Sequence, residues 1–262
     1  MDQSLLDAFE RCAGDPQADE VRMAVLVARA LDHQVDDSDV LGPLAELSAG
    51  LPPGKSPWAY LRDAGFGGDV PGYAHLDNSN LARVLARRKG IPITLGVLLM
   101  AVSRHAGLRA HGINFPGHFL VDVDGEMVDP FLMASVEREQ CLARLPAALR
   151  AADPAALFAR ATPVAVGLRM LNNVRQAHAG HGAWHEALDI VDAQLRLAPG
   201  QPALHIERGD LWARIGLVTP AREAFERART LAARLADDDG RHWLALAEAR
   251  LTGIGDAGDV VH

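Results

Sequence analysis

His118 and Asp129 are the residues of this chain best spaced to do chemistry together. The first follows Pro116-Gly117 at the head of an apolar run, and the second closes the next run in Val128-Asp129-Pro130. Upstream, Lys89-Gly90-Ile91-Pro92-Ile93-Thr94-Leu95 reads as a glycine followed by a helix start. An imidazole oriented by a carboxylate is a general base, and a helix N-terminus facing it suits a thiolate, because the macrodipole and an imidazolium both stabilise the anion. The residue opening this helix is Pro92, which offers neither a nucleophile nor a proton. The pattern is therefore a base and its orienting acid without the group they would activate.

The elements that must position the pair follow from local signals. Asn78 or Ser79 can cap a helix through Arg88 that Gly90 ends. Pro92 suits the first turn of a second helix, Ile93 to Ala106, which is apolar nearly all round and so must be buried. Gly107 closes it. Two strands follow, Arg109 to Asn114 and His118 to Val123, and Asp124-Gly125 turns the second into a third, Glu126 to Val128. His118 and Asp129 should then lie on adjacent antiparallel strands, facing the helix that begins near Pro92. A buried helix followed by an antiparallel sheet predicts an α+β fold.

Further upstream, Ser4 to Arg11, Asp19 to Asp32, Val40 to Ser48 and Trp58 to Ala64 carry helical spacing. Asp36-Asp37-Ser38-Asp39 lacks the glycine and terminal glutamate of a calcium loop and reads as a helix cap. The glycine-rich stretch Gly65 to Gly72 lacks the strand-to-helix context of a phosphate loop and reads as an ordered surface loop.

From about Tyr60 to Cys141 the chain resembles the transglutaminase-like core of the bacterial SirB family. The residues that carry the likeness are Asp77-Asn78-Ser79, Gly90 to Leu95, Gly107-Leu108, Phe115-Pro116-Gly117-His118-Phe119-Leu120 and Val128-Asp129-Pro130-Phe131. The resemblance implies a papain-like core, with His118 and Asp129 in the base and carboxylate positions and Pro92 where the wider superfamily carries its cysteine. His118 and Asp129 are thus candidate catalytic residues of a relict pair. Asn78, Thr94, Asn114 and His118 are the candidate ligand-binding residues.

Two other side chains can be asked to replace the thiol. Thr94 lies about 200° round the helix from Pro92, and a threonine near a helix start ordinarily satisfies backbone groups. Cys141 falls in a predicted helix, Glu137 to Leu145, where a small buried residue is the plainer assignment. Cys12 has no base near it in sequence.

The last third has a different organisation. Arg175 and Gly209, Gly182 and Gly216, Ala187 and Ala221, and Val191 and Phe225 are each 34 residues apart, which is the tetratricopeptide period. Arg175 departs from that pattern, since a small residue is usual there. His205 to Ile215 and Pro220 to Leu235 should form one helix pair, Arg241 to Leu251 a cap, and Gly253 to His262 a frayed tail. His178, His181 and His185 are interrupted by Gly180 and Gly182 and read as an inter-helix turn, not a zinc site.

The bulk composition narrows the function classes. The chain has 262 residues, is 49% hydrophobic and carries a net charge of −8, with no basic stripe for nucleic acid. No apolar run approaches the ~20 residues of a membrane span, and two cysteines suggest no disulfide framework. The N-terminus shows neither a basic start nor an apolar signal core. The expectation is a cytoplasmic protein without cofactor or metal, whose oligomeric state the sequence leaves open. Residues 1–160 would form the transglutaminase-like domain with its helical extension, and 161–262 a tetratricopeptide-like domain. The expected function is non-catalytic binding of a protein or peptide through the relict cleft and the repeat groove. The alternative is a hydrolase or acyl transferase in which Thr94, Cys141 or a water works with His118 and Asp129.

Overall fold

A computed structural model describes residues 1–150 and 153–258, with backbone only for 255–258. The fold is α+β, rich in helix, with a small antiparallel sheet. It divides into two compact units, Arg11–Met170 and Met1–Glu10 with Leu171–His262. The helices before the sheet are α1 (Gln3–Gly14), α2 (Glu20–Leu31), α3 (Asp37–Ala49), α4 (Pro57–Asp63), α5 (Leu81–Arg87) and α6 (Pro92–His105). Their starts obey ordinary capping chemistry. Asp19 accepts from the Arg22 amide at α2, and Asp36 accepts from Ser38 and Asp39 at α3, so the acidic cluster is a cap as its residues suggested.

The cap of α5 falls later than its sequence suggests. Asn80, not Asn78 or Ser79, accepts from the Ala82 and Arg83 amides. The helix ends at Arg88 in the left-handed conformation (φ 59°), before Gly90 is reached. Asn78 is drawn instead into a 3-10 turn, Leu76–Asn78. The glycine-rich loop also contributes structure of its own. Strand β1 (Gly67–Gly68) pairs in parallel with β2 (Lys89–Gly90), which fastens the loop immediately before α6.

Helix α6 is the central element of this unit. Ten consecutive buried residues from Ile91 to Met100 leave it no solvent face before its last turn, where His105 is exposed. Gly107 (φ 80°) ends it and β3 (Ala110–Ile113) follows. β3 pairs with β4 (Leu120–Val123), β4 with β5 (Glu126–Asp129), and β5 with β6 (Ala134–Ser135), all antiparallel. Asp124 (φ 51°) and Gly125 (φ 91°) both adopt positive φ, the combination that a two-residue hairpin matched to strand twist requires. On one face of the sheet, Phe119 and Val121 meet Gly96 of α6. On the other, Ile113, Phe115, Leu120 and Met127 pack with Cys141, Leu145 and Leu157 from the short helices α7 (Arg138–Ala143) and α9 (Pro154–Leu157) and the turn after α7. Between those helices lies α8 (Ala147–Arg150).

The remaining helices are α10 (Pro163–Gly180), α11 (Trp184–Leu197), α12 (Pro202–Arg214), α13 (Val218–Ala232) and α14 (Asp238–Gly258). The 34-residue period corresponds to matched environments here. Gly182 and Gly216 both take positive φ in turns, while Ala187, Ala221, Val191 and Phe225 are all fully buried. Phe225 packs against Gly209, where a Cβ would come within 2.3 Å of its ring. Arg175, in the small-residue position of the preceding pair, forms an ion pair with Glu207 at 2.5 Å. Helix α14 extends to Gly258, so part of the expected frayed tail is helical, and residues 259–262 lie outside the described residues.

Candidate functional site

The Asp124-Gly125 hairpin sets β4 and β5 in register, and that register brings His118 and Asp129 together. His118 stands in the bend just before β4, not within a strand, because Pro116-Gly117 turns the chain there (Gly117 φ 71°) and the His118 amide donates to Phe115 O at 3.0 Å. Its Nε2 lies 2.9 Å from Asp129 Oδ1. The approach is poorly aligned, so Nε2 makes no formed hydrogen bond. Asp129 is 2% exposed and is held from several sides. Its Oδ1 accepts from the Phe131 amide at 2.9 Å and the Leu132 amide at 3.4 Å, and Arg144 Nη1 lies 3.8 Å from Oδ2. A buried carboxylate supplied with backbone donors and a cation is a fixed orienter for an imidazole.

His118 opens onto a cavity of about 270 Å³ lined by Phe115, Pro116, Leu120, Cys141, Arg144 and Leu145, among others, and by no residue of α6. His118 therefore borders the α7 side of the sheet. Phe119 meets Gly96 of α6, and Leu120 packs with Cys141 and Leu145 on the other side.

The other sequence candidates sit apart. Thr94 is fully buried, and its hydroxyl donates to Asn78 O at 2.8 Å while accepting from the Ile91 amide at 3.2 Å. Its hydrogen-bonding capacity is thus spent on the backbone at the entrance to α6. Asn78 is fully buried too, donating from Nδ2 to Gly72 O and accepting from Arg87, which also grips Asp69 at 3.0 Å. Both residues secure the glycine-rich loop against α6. Asn114 is exposed and accepts from Arg169. Pro92 is buried at the first turn of α6, where its missing N–H costs nothing.

Cys141 is brought to the cavity, which its sequence position did not indicate. Its thiol is pushed up by burial, with Asp129 adding to the effect and Arg144 opposing it, so it is not a thiolate at neutral pH. Arg144 and Arg169 are the site residues that motif reading passed over. The signal for Arg169 was present, since it stands between Val166 and Met170, both buried, on an otherwise apolar helix segment. Among the described residues no group of three or more His, Cys, Asp or Glu side chains is arranged to hold a metal. His181 Nδ1 instead contacts Ala177 O at 2.7 Å. No helix is long and apolar enough to cross a membrane among the described residues.

Comparison with known proteins bears on the family of this chain. Residues 59–172 match the family model described as the transglutaminase-like superfamily. A UPF0162 protein of Xylella fastidiosa is 33% identical over 175 residues, 62% of this chain and 62% of that protein. A UPF0162 protein of Pseudomonas aeruginosa is 30% identical over 58% of this chain and 57% of its own length. The chain therefore spans about three fifths of the curated relatives it matches. A shorter match, 39% identical over 56 residues, covers 21% of this chain and 9% of F-box only protein 21 of Mus musculus. No solved structure matches the chain significantly. The match over residues 59–172, the UPF0162 relatives and the α+β core together support a transglutaminase-like family for this chain.

Proposed function

We propose that this chain is a non-catalytic protein, of SirB type, that binds a protein or peptide segment at the face of a degenerate transglutaminase-like domain. The observation that carries the reading is a retained His118–Asp129 pair with no activated nucleophile beside it. Pro92 opens the helix that would present one, and the Thr94 hydroxyl is committed to backbone groups. What surrounds the pair suits binding. The cavity beside His118 has apolar walls with Arg144 among them, enough to accept one side chain and orient a carbonyl. Val70, Tyr73 and Leu132 are exposed by 75%, 52% and 52%, an apolar surface on the loops that follow β1 and β5. The helix pairs of the C-terminal third, read as tetratricopeptide-type repeats, would supply a second protein-binding groove. The protein would act in a bacterial cytoplasm and need no cofactor.

Selection of a random peptide library on the full chain tests this. Recovered peptides should share an apolar anchor and lose affinity by about tenfold or more when His118→Ala and Leu132→Ser are combined. A library that enriches no peptide would sink the binding reading.

A hydrolase or acyl transferase reading keeps one specific observation in its favour, that Cys141 lines the His118 cavity. It requires turnover of amide or ester substrates that Cys141→Ala abolishes. Burial, which pushes that thiol up, works against such turnover.

A further inference from the structure

Arg169 is the cation of the transglutaminase-like unit whose surroundings fit its charge least well. Other partly buried guanidiniums have a carboxylate: Arg104 meets Glu20 at 2.6 Å and Arg87 meets Asp69 at 3.0 Å. Arg169 has none within ion-pair reach among the described residues. Its Nη1 donates to Asn114 Oδ1 and to Phe115 O (3.1 Å), both neutral acceptors that aim the group without balancing it. Its Cζ stands 5.9 Å from the ring of Phe119, itself 1% exposed. Burial draws its pKa down, with the Tyr73 phenol close enough to oppose that shift, but a guanidinium stays charged. A partly desolvated charge without a counter-ion is costly, and a bidentate carboxylate is the partner that best matches a guanidinium fork. The edge formed by Nε and Nη2 takes no acceptor among the described residues, and that is the edge a carboxylate would use.

The neighbouring groups say what carries the carboxylate. Tyr73 is half exposed and packs at 5.9 Å and 56° on Phe131, whose ring lies against Gly68. Gly68 leaves room for that ring, since a Cβ there would stand 2.3 Å from it. An aromatic pair near an uncompensated guanidinium suits an apolar side chain on the same residue as the carboxylate. Phe115 O, which helps aim Arg169, also accepts the His118 amide, so this position is continuous with the relict pair.

Resting on the peptide-binding reading, we infer that Arg169, seated over Phe119 and near the Tyr73 phenol, is a receptor for the terminal carboxylate of a peptide ending in an apolar residue. Charge-assisted hydrogen bonds of this kind correspond to about ten- to hundredfold in affinity.

The test is fluorescence anisotropy on the full chain with labelled pentapeptides ending in Leu or Phe, each as free acid and as amide. The acid should bind about ten- to hundredfold more tightly, and Arg169→Gln should erase that difference. Asn114→Asp provides a second variant that keeps the fold. It sets an internal carboxylate on Arg169, so it should raise the melting temperature while removing the preference for the acid. Equal binding of acid and amide to the unaltered chain would overturn this inference and leave the peptide-binding reading standing. Binding of neither form would overturn both. A preference that survives Arg169→Gln or Asn114→Asp would assign the carboxylate elsewhere. N-acetylphenylalanine competing as tightly as the pentapeptide would replace the chain terminus by a free organic acid.

Discussion

 Asp129 does two jobs at once, accepting from the Phe131 and Leu132 amides of its own turn while standing beside His118. Those amides lie 2.9 and 3.4 Å from its Oδ1. Asp129→Ala removes the acceptor and strands the donors, so it should cost about 1–3 kcal/mol of stability in urea unfolding, while Asp129→Asn, which keeps one oxygen, should cost less. Equal losses would mean that the charge, and not the turn, is what the fold uses. The cysteines give a second expectation at this scale. Burial pushes both the Cys12 and Cys141 thiols up, so the thiolate forms only above the ordinary thiol range. Timed iodoacetamide labelling read by mass spectrometry should be slow for both at neutral pH and accelerate as pH rises or the protein unfolds. Fast labelling of Cys141 at neutral pH would revive it as a nucleophile.

Between residues and the whole lie the elements, held here by a few close fits. Phe119 is wedged between Gly96 of α6 and Gly112 of β3, where added Cβ atoms would come within 2.7 and 2.4 Å of its ring. Gly112→Ala should therefore cost about 1–3 kcal/mol by overpacking, measurable as a lower denaturation midpoint. Arg104 fastens α6 to α2 through Glu20, which is 2% exposed, and also donates to Ala110 O at the start of β3. The loop before α5 is held differently. Asn78, then Arg87 and the Gly72 amide, hold the Asp69 carboxyl below its usual range. A depressed carboxylate contributes stability above its unfolded pKa and loses it as pH falls through the folded value. Asp69→Asn should thus be less stable than the unaltered chain at neutral pH, with the gap closing in acid. A gap independent of pH would show that hydrogen bonding, not charge, secures the loop.

At the scale of the molecule, the transglutaminase-like unit continues past its sheet. The Ala161 amide donates to Gly112 O at 2.8 Å, Arg160 bridges to Ile113, and Val166 and Met170 are buried. A fragment of residues 11–157 lacks all of these. It should melt well below a fragment of residues 11–180, which retains α10 whole. Calorimetry of the two would decide it, and equal melting temperatures would show that residues 158–170 add nothing to this unit.

Much of this architecture was legible in the order of residues, because the signals concerned are local. Asp19 and Asp36 cap their helices, Asp124-Gly125 makes its hairpin turn, and the unbroken apolar run of α6 demands burial, all through contacts a few residues apart. At the 34-residue spacing Gly182 and Gly216 share a positive φ, and Ala187 with Ala221 and Val191 with Phe225 share full burial, whereas Arg175 and Gly209 differ. Tertiary structure decided what depends on distance in sequence. It placed His118 in the bend before the strand, beside a cavity of its own sheet face. It brought Cys141 and Arg144 to that cavity, and Arg169 to Asn114, which is 55 positions away in the chain. No local spacing encodes such meetings, because they arise only when separate apolar faces are buried against one another and carry their few polar side chains with them.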